Sequence, residues 1–317
     1  MKDKLMYTFD STYWALIIGG SSGFGLATAR KLARHGMNIC IVHRDRRSTM
    51  RRVEPEFEEL KQTGVNVLTF NVDAIAPQGR DSVLATISDE IQGKGRIRVV
   101  LHSLAFGNLK LLAPSPGMDM GGSAVKKLAE RLEIPGDRLR NAIGQLFEEG
   151  IAPLHPLADP PNYLNDMLLD GEDFSRTIHA MGFNIVEWVG ALHHRGLLAE
   201  SSRVVSLTSE GNSIAWRGYA AVSAAKAVLE SVSRSMAVEF APYGIRSNVI
   251  QAGVTDTPAL RAIPGNEHIL ANARLKNPCS RLTTPEDVAN VIYLLCMDEA
   301  NWINGSLICV DGGERIG

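Results

Sequence analysis

The first hundred residues alternate short apolar runs with longer amphipathic segments. The apolar runs have the length of strands and fall at residues 15–18, 38–42, 65–70 and 98–101. Between them, GLATARKLARHG, STMRRVEPEFEELKQTG and GRDSVLATISDEIQG carry apolar residues at helical spacing, and each ends in glycine, a common helix stop. Strands and helices in strict alternation predict βαβ units on a parallel sheet.

The same alternation returns in the second half of the chain. We predict a long helix at 173–195, a strand at 203–207, a helix at 219–240, a strand at 246–250, a helix at 285–297 and a last strand at 307–310. Seven strands in this order fit one doubly wound parallel sheet, so the predicted fold class is α/β.

Residues 108–170 interrupt the alternation. They hold two amphipathic pieces, SAVKKLAERLEI and PGDRLRNAIGQLFEEG, followed by the proline-rich PLHPLADPPNY. We interpret the stretch as a helical insertion after the fourth strand, within a single domain that spans residues 1–317. Ligands of open α/β sheets bind at the carboxyl edge of the strands, so an insertion at this point is placed to be a lid or a substrate wall. An oligomer contact or a decorated loop would fit the same pattern.

Composition and charge exclude several classes of protein. The 317 residues are 45% hydrophobic and 21% charged, which is typical of a globular chain with one large core. Because 33 basic and 35 acidic side chains nearly cancel, we expect neither nucleic-acid binding nor attachment to a membrane surface through global charge. Four scattered cysteines without a CxxC pair predict reduced thiols and no metal site. The lack of a signal-like or membrane-length apolar run predicts a cytoplasmic protein.

Glycines follow the first predicted strand in a pattern typical of a phosphate-binding turn. Gly19, Gly23 and Gly25 lie in IIGGSSGFG, directly before an amphipathic helix. Glycine allows a tight turn and close backbone approach, so the free amides of the helix N-terminus can hold a pyrophosphate. A strand, a glycine loop and a helix in succession predict dinucleotide binding, and a glycine turn selected only for packing is the alternative.

Charged residues at the end of the second predicted strand indicate which dinucleotide binds. Arg44, Asp45, Arg46 and Arg47 lie there. An acidic residue at this point would accept the ribose hydroxyls of NADH, whereas arginine pairs with the additional phosphate of NADPH. The excess of guanidinium groups favours NADPH over NADH, with Arg44 and Arg46 on the 2′-phosphate, unless the run is merely a solvated surface. We expect Asp73, at the end of the third strand, near the adenine.

Tyr219 and Lys226 form a candidate catalytic pair. They are seven residues apart, so both project from one helix face, about 10 Å apart along the axis at ~1.5 Å per residue. An ammonium in this position lowers the pKa of the phenol and can hold a cofactor ribose, while the phenol donates to a developing oxyanion. A chance pair on a half-buried helix is the alternative, against which Ser209 and the glycine loop argue.

Outside residues 108–170, the chain resembles the short-chain dehydrogenases/reductases. The resemblance rests on GGSSGFG, RVVSLTSEG, the tyrosine and lysine helix, IRSNVIQAGVTDTP and NGSLICVDGG, which occur in the order of that family. Ordinary members carry a tyrosine four residues before the lysine, where this chain has Val222. The YxxxxxxK spacing and the segment LHSLAFG are instead similar to the enoyl-acyl-carrier-protein reductase branch. Enoyl reduction gathers charge on the thioester oxygen, two carbons from the carbon that accepts hydride, and a tyrosine one turn earlier suits that oxygen.

This resemblance implies a Rossmann fold and a set of site residues. Lys226 would hold the nicotinamide ribose, Tyr219 would stabilise an enolate, and Thr257 would meet the nicotinamide end of the cofactor. Ser209 occupies the place of the serine of ordinary carbonyl reductases, and Met181 stands where those enzymes carry the asparagine of a proton relay. Further cofactor contacts are expected from Ser21, Ser22, Phe24, Ala74, Ser103, Leu104, Ala105, Gly253, Val254 and Thr255.

The leading hypothesis from sequence is an NADPH-dependent reductase of trans-2-enoyl thioesters in fatty acid biosynthesis, acting on acyl carrier protein or acyl-CoA. We expect Phe106 and Trp216 beside the substrate with Tyr219, although packing is the ordinary role of such aromatic residues. A carbonyl (3-ketoacyl) or dienoyl-thioester reductase that uses Ser209 is one alternative, and an NADP-binding protein without turnover is another. Family members usually assemble through the catalytic helix and the last strand, so the resemblance implies a homotetramer.

Overall fold

The computed structural model describes residues 8–91, 93–115, 121–163 and 167–317. The strands are β1 Tyr13–Ile18, β2 Asn38–His43, β3 Val67–Asn71, β4 Arg96–His102, β5 Leu198–Thr208, β6 Arg246–Ala252 and β7 Leu307–Val310. The α-helices are α1 Gly23–Arg34, α2 Arg47–Lys61, α3 Pro77–Ile91, α4 Gly122–Leu132, α5 Gly136–Glu148, α6 Gly171–Ile178, α7 Asn184–His194, α8 Ala220–Glu239, α9 Pro258–Arg261, α10 Asn266–Lys276 and α11 Pro285–Cys296.

The seven strands form one parallel sheet in the order β3-β2-β1-β4-β5-β6-β7. The direction in which the sheet grows reverses between β1 and β4, which pair directly through Ile18 and His102. Crevices at such a reversal, outside the carboxyl ends of the strands, are where open α/β sheets bind ligands. The predicted doubly wound sheet is therefore confirmed, and it directs attention to this edge.

Two apolar layers cover the sheet because successive strand residues point to opposite faces. On one face, Ile17 packs with Leu32 of α1 and Ile292 of α11. On the other face, Leu16 packs with Leu84 of α3 and Trp188 of α7. All of these side chains are fully buried, so the strands are apolar on both faces, as a parallel sheet between helices requires.

The structure departs from the predicted elements in the second half. The helix predicted at 173–195 is divided into α6 and α7 by a π-helical turn at His179–Phe183. Strand β5 begins at Leu198, which pairs with Ile97, although the polar residues 200–202 conceal this start from the apolar pattern. Helices α9 and α10 were not predicted. Helix α9 has only four residues, and α10 buries only the small side chains Ala271 and Ala273, so neither leaves a clear apolar pattern.

Helices α4 and α5 largely coincide with the two amphipathic pieces of residues 108–170. They pack on each other around a small apolar cluster that includes Val125, Ala129 and Ile143. The segment that follows α5 contacts α10, since the ring of His268 hydrogen-bonds to the Asp159 carbonyl at 3.0 Å. The helix pair is thereby connected to the segment after β6.

Candidate active site

A cavity of about 210 Å³ lies at the carboxyl edge of β4, β5 and β6. Its apolar lining residues are Phe24, Ala105, Leu109, Met181, Trp216, Val222, Ala252, Val254, Ala259, Leu260, Ala262 and Ile263. Its polar ones include Thr208, Ser209, Glu210, Tyr219, Gln251, Thr255, Thr257, Asp311, Glu314 and Arg315. The cavity therefore joins predicted catalytic and cofactor-binding residues that are far apart in the sequence.

Tyr219 stands directly before α8 and is 9% exposed. Its hydroxyl lies 3.4 Å from the Oγ of Ser209, at the end of β5, and its ring lies 5.2 Å from that of Trp216. Burial raises the pKa of Tyr219, and the hydrogen bond with Ser209 partly opposes that rise. The phenol is thus held protonated at neutral pH, facing an apolar cavity, and can donate to an oxygen that gains charge.

Lys226 lies two turns further along α8 and is buried. Its Nζ donates to the Leu207 carbonyl at 2.8 Å, and burial lowers the pKa of Lys226 to about 8, against the opposing charge of Glu230. The lysine was expected to lower the pKa of Tyr219. In the structure burial has the largest effect on that pKa and raises it, because the phenol is almost completely removed from water.

His102, which begins the HSLA segment, is buried at the end of β4. Burial, followed by the positive charge of Lys226, lowers the pKa of His102 to about 3, so the imidazole is neutral. Neighbouring groups on the π-helical turn and α7, the Ala180 backbone and the Asn184 side chain, act in the opposite direction. The structure thus places an uncharged histidine within electrostatic reach of Lys226.

The glycine loop fits a bound pyrophosphate. Gly23 has φ of +52°, a conformation that favours glycine, and a Cβ on Gly25 would lie 2.1 Å from the Gly19 carbonyl oxygen. The side chain of Ser22, which precedes α1, makes no capping hydrogen bond within the described residues. Because the first amides of a helix have no partner within the helix, the start of α1 beside partly exposed Ser21 and Ser22 has donors that suit a phosphate.

The glycine loop contacts other segments predicted to bind cofactor. A Cβ on Gly19 would lie 2.5 Å from the carbonyl oxygen of Ser103, the first residue after β4, and Leu104 follows at 3.2 Å. A Cβ on Gly23 would lie 3.4 Å from the methyl group of Thr257. Thr257 begins α9, where its Oγ1 accepts from the Leu260 amide at 3.3 Å. Three segments expected to bind one cofactor therefore converge.

The ends of β2 and β3 carry the charges expected to distinguish NADPH from NADH. Arg44 donates to Asp73 at 2.9 Å, and both side chains remain substantially exposed. Asp45 accepts from the ring of buried His43 at 2.8 Å and is only 14% exposed. The carboxylate at the end of β2 is therefore already paired, while exposed Arg44 and Arg46 face solvent before α2.

Some predicted contact residues do not line the cavity. Phe106 is 42% exposed, and the Arg176 guanidinium lies 5.3 Å from its ring centroid. Ala74 is buried, and its carbonyl accepts from Asn184 and from Trp188. Ala105 and Trp216, in contrast, both line the cavity.

Glu314 is a cavity residue that the sequence analysis did not identify. It lies in the turn after β7 and accepts from the Val254 amide, through Oε2 at 3.1 Å and Oε1 at 3.3 Å. Burial raises the pKa of Glu314 to about 6. The available signal was its position in DGGERIG, directly after a strand that lies beside β6 in a doubly wound sheet.

Two family models match the chain. One, described as enoyl-(acyl carrier protein) reductase, matches residues 160–314, and the other, described as short chain dehydrogenase, matches residues 13–109. With the parallel sheet and the glycine loop, these matches show that the chain belongs to the short-chain dehydrogenase/reductase superfamily. It is accordingly an oxidoreductase whose Rossmann-type fold binds a nicotinamide cofactor.

Individual relatives differ in the reactions for which they are named. The cis-4-hydroxycyclohexanecarboxylate dehydrogenase of Sinomonas cyclohexanicum is 27% identical over 301 residues, covering 94% of this chain and 95% of that protein. The 1-cyclohexenylcarbonyl-CoA reductase of Streptomyces collinus is 35% identical over 130 residues, covering 40% of this chain and 46% of that protein. The enoyl-(acyl-carrier-protein) reductase of Anaplasma phagocytophilum, crystallised with NAD, superposes with a TM-score of 0.68 at 18% identity, covering 98% and 96% of the two chains. This last likeness shows a shared fold.

In the part of the chain that the structure describes, none of the helices has the length and hydropathy needed to cross a bilayer.

Proposed function

We propose that this oxidoreductase uses NADPH to reduce the double bond of trans-2-enoyl thioesters, in fatty acid biosynthesis. The observation that carries the proposal is the position of Tyr219: its protonated hydroxyl faces a largely apolar cavity, seven residues before buried Lys226. An acyl group suits such a cavity, and the tyrosine is one turn earlier than in ordinary members of the superfamily. The family model described as enoyl-(acyl carrier protein) reductase supports the same class of reaction.

The chain's own residues have distinct roles in this proposal. The bound nicotinamide supplies the hydride that reaches C3 of the substrate. Tyr219 donates a hydrogen bond to the thioester oxygen, where negative charge gathers, and Ser209 supplies a second hydroxyl 3.4 Å from that of Tyr219. Lys226 holds the nicotinamide ribose. A proton from Tyr219 or from water then completes the saturated product at C2.

We assign NADPH as the cofactor from the charges at the end of β2. Asp45 is engaged with His43, so it is a poor acceptor for ribose hydroxyls. Arg44 and Arg46 are exposed beside the N-terminus of α2, whose partial positive charge also favours a phosphate. Asp73 would meet the adenine once Arg44 turns toward the 2′-phosphate.

The carrier of the acyl group is either acyl carrier protein or coenzyme A. The Streptomyces collinus relative is named for a CoA thioester, and the matching family model is named for acyl carrier protein. Both share the thioester that Tyr219 would recognise. We further propose that residues 108–170 form a lid within one domain, because the segment after α5 contacts α10 beside cavity residues Leu260 and Ile263.

We also propose that the protein is a homotetramer. Apolar side chains are exposed on the last strand, on the end of α8 and nearby: Val238 on α8, Leu294 on α11, Trp302 before β7 and Leu307 on β7. Trp302 is 95% exposed. Exposed apolar groups of this kind are typical of interfaces between copies of a chain.

Carbonyl reduction is the second candidate, favoured by the Ser209 and Tyr219 contact. Two hydroxyl groups 3.4 Å apart can bind one carbonyl oxygen directly. The Sinomonas cyclohexanicum relative, which matches nearly the whole chain, is named for a hydroxy acid dehydrogenase. In this case the tyrosine would donate its proton to the oxygen bonded to the carbon that accepts hydride.

Measuring NADPH oxidation with two substrates distinguishes the two candidate reactions. Purified protein is given NADPH with a trans-2-enoyl thioester or a 3-ketoacyl thioester, each on coenzyme A and on acyl carrier protein. We expect NADPH oxidation with the enoyl substrate only, reduced about a hundredfold or more in Tyr219→Phe. Tyr243→Phe, a change at an exposed tyrosine, is the matched control. Oxidation with the ketoacyl substrate only, lost in Ser209→Ala, would select carbonyl reduction, and oxidation with neither substrate would refute both.

A further inference from the structure

Glu314 introduces a carboxylate into the part of the cavity assigned to the cofactor. The residue is 4% exposed and lies in the turn after β7, the strand next to β6. Both carboxylate oxygens face the Val254 amide, which donates to them at 3.1 and 3.3 Å. Val254 is the second residue after β6, in the segment where Thr257 is assigned to the nicotinamide end of the cofactor.

Charged groups around Glu314 come from several elements. Glu210, after β5, and Asp311, in the same turn as Glu314, raise the pKa of the carboxyl, while Lys276, at the end of α10, lowers it. Arg315 follows Glu314 and is exposed at the cavity. Burial is the largest influence and raises the pKa to about 6, so the group carries a negative charge at neutral pH.

A nicotinamide ring differs in charge between its two redox states. The oxidised ring is positive and the reduced ring is neutral, whereas the adenosine and phosphate parts are identical. A poorly hydrated carboxylate near the ring therefore stabilises the oxidised form selectively, because opposite charges attract more strongly away from water.

We propose that Glu314 sets the relative affinity of this protein for the oxidised and the reduced cofactor, by placing a negative charge beside the nicotinamide end. The inference rests on the cofactor placement proposed above. Stabilising the positive ring also favours the loss of hydride from the reduced form, which is the direction of a reductase. Glu314 acts on the cofactor's charge and needs no contact with the substrate.

The test measures cofactor binding instead of turnover. Dissociation constants for NADPH and NADP⁺ are determined by titration calorimetry at about pH 7.5 for the wild type, Glu314→Gln and Glu314→Asp. Glutamine keeps an acceptor for the Val254 amide but removes the charge, so we expect the ratio of the NADP⁺ constant to the NADPH constant to rise about tenfold. Aspartate keeps the charge and is expected to retain most of the wild-type ratio. Exposed Glu286→Gln is the control for a change in net charge alone.

A second measurement uses the wild type, in case glutamine disturbs folding. At about pH 5, below the pKa of Glu314, the carboxyl is protonated and the wild-type ratio should approach that of Glu314→Gln, which should itself change little with pH. Protonation of the 2′-phosphate cancels, since both cofactor forms carry it. An unchanged ratio in Glu314→Gln and across this pH range would overturn the inference. If the wild type bound neither NADPH nor NADP⁺, the proposed cofactor would itself be wrong, which is a separate result.

Discussion

Lys226 combines a proposed functional role with a cost to stability that the structure allows us to predict. Its ammonium group is buried and donates a hydrogen bond to the Leu207 carbonyl. Burial lowers the pKa of Lys226 from 10.5 to about 8. The perturbation that isolates this effect is Lys226→Met, which keeps an unbranched chain of similar length and removes the charge.

The magnitude follows from the displaced pKa. At about 1.4 kcal/mol for each tenfold change in proton affinity, burying the charged lysine costs the folded state about 3 kcal/mol at neutral pH. Methionine removes that cost but leaves the Leu207 carbonyl without its donor, a loss of about 1–3 kcal/mol. We therefore expect Lys226→Met to be as stable as the wild type at pH 7, or more stable by up to about 2 kcal/mol, and to lack activity.

The direction in which the free energy of unfolding changes with pH is a second expectation, and it does not depend on the cost of the unpaired Leu207 carbonyl. Above about pH 8 the folded wild type loses the proton on Lys226, while the unfolded chain keeps its proton up to about pH 10.5. The free energy of unfolding of the wild type should thus rise across this window relative to that of Lys226→Met, by about 3 kcal/mol in total. Comparing the two proteins cancels the groups that they share.

Urea unfolding without cofactor, followed by tryptophan fluorescence at intervals from about pH 7 to about pH 10, measures this difference. Lys94→Met, a change at an exposed lysine in the turn after α3, is the control and should show no such window. A Lys226→Met protein that is several kcal/mol less stable at pH 7, with a difference that does not change with pH, would show that Lys226 is stabilising and refute the reasoning.

Three further changes test other parts of the structure. In Gly25→Ala the new Cβ would lie 2.1 Å from the Gly19 carbonyl oxygen, so the loop must shift; we expect NADPH binding by calorimetry to weaken about tenfold or more, and Gly190→Ala, whose Cβ meets no described atom within 4 Å, to bind normally. Arg44→Ala should weaken NADPH binding about tenfold and leave NADH binding nearly unchanged, and equal losses for both would contradict our cofactor assignment. Trp302→Ser should shift the protein to smaller species in size-exclusion chromatography with light scattering, and an unchanged mass would place the interface elsewhere.

Apolar periodicity was sufficient to predict the sheet. Strands buried on both faces appear as continuous apolar runs, and the helices between them bury one face, so each leaves a distinct pattern. The pattern failed where burial did not depend on large apolar side chains. Strand β5 starts within a polar run, and α10 packs through alanines such as Ala271.

The site was predicted in part for a related reason. Tyr219, Ser209 and the glycine loop have spacings with a chemical meaning, so they could be identified before the fold was known. Contacts of a charged side chain with a residue far away in the sequence leave no characteristic spacing. The Arg44 and Asp73 bond joins residues 29 apart, and Glu314 reaches the Val254 amide from 60 residues away. Both contacts depend on which strands are neighbours.

The order of the strands explains how such distant residues come to share one cavity. Because β1 and β4 are adjacent, the glycine loop after β1 meets Ser103 after β4, and a crevice opens where the chain reverses. Because β7 lies beside β6, the last turn of the chain places Glu314 against Val254. Within this arrangement the side chains of Tyr219, Lys226 and Glu314 are each less than 10% exposed. The same burial that keeps Tyr219 protonated therefore lowers the pKa of Lys226 and raises that of Glu314, so the properties of the site come from its enclosure as much as from its residue types.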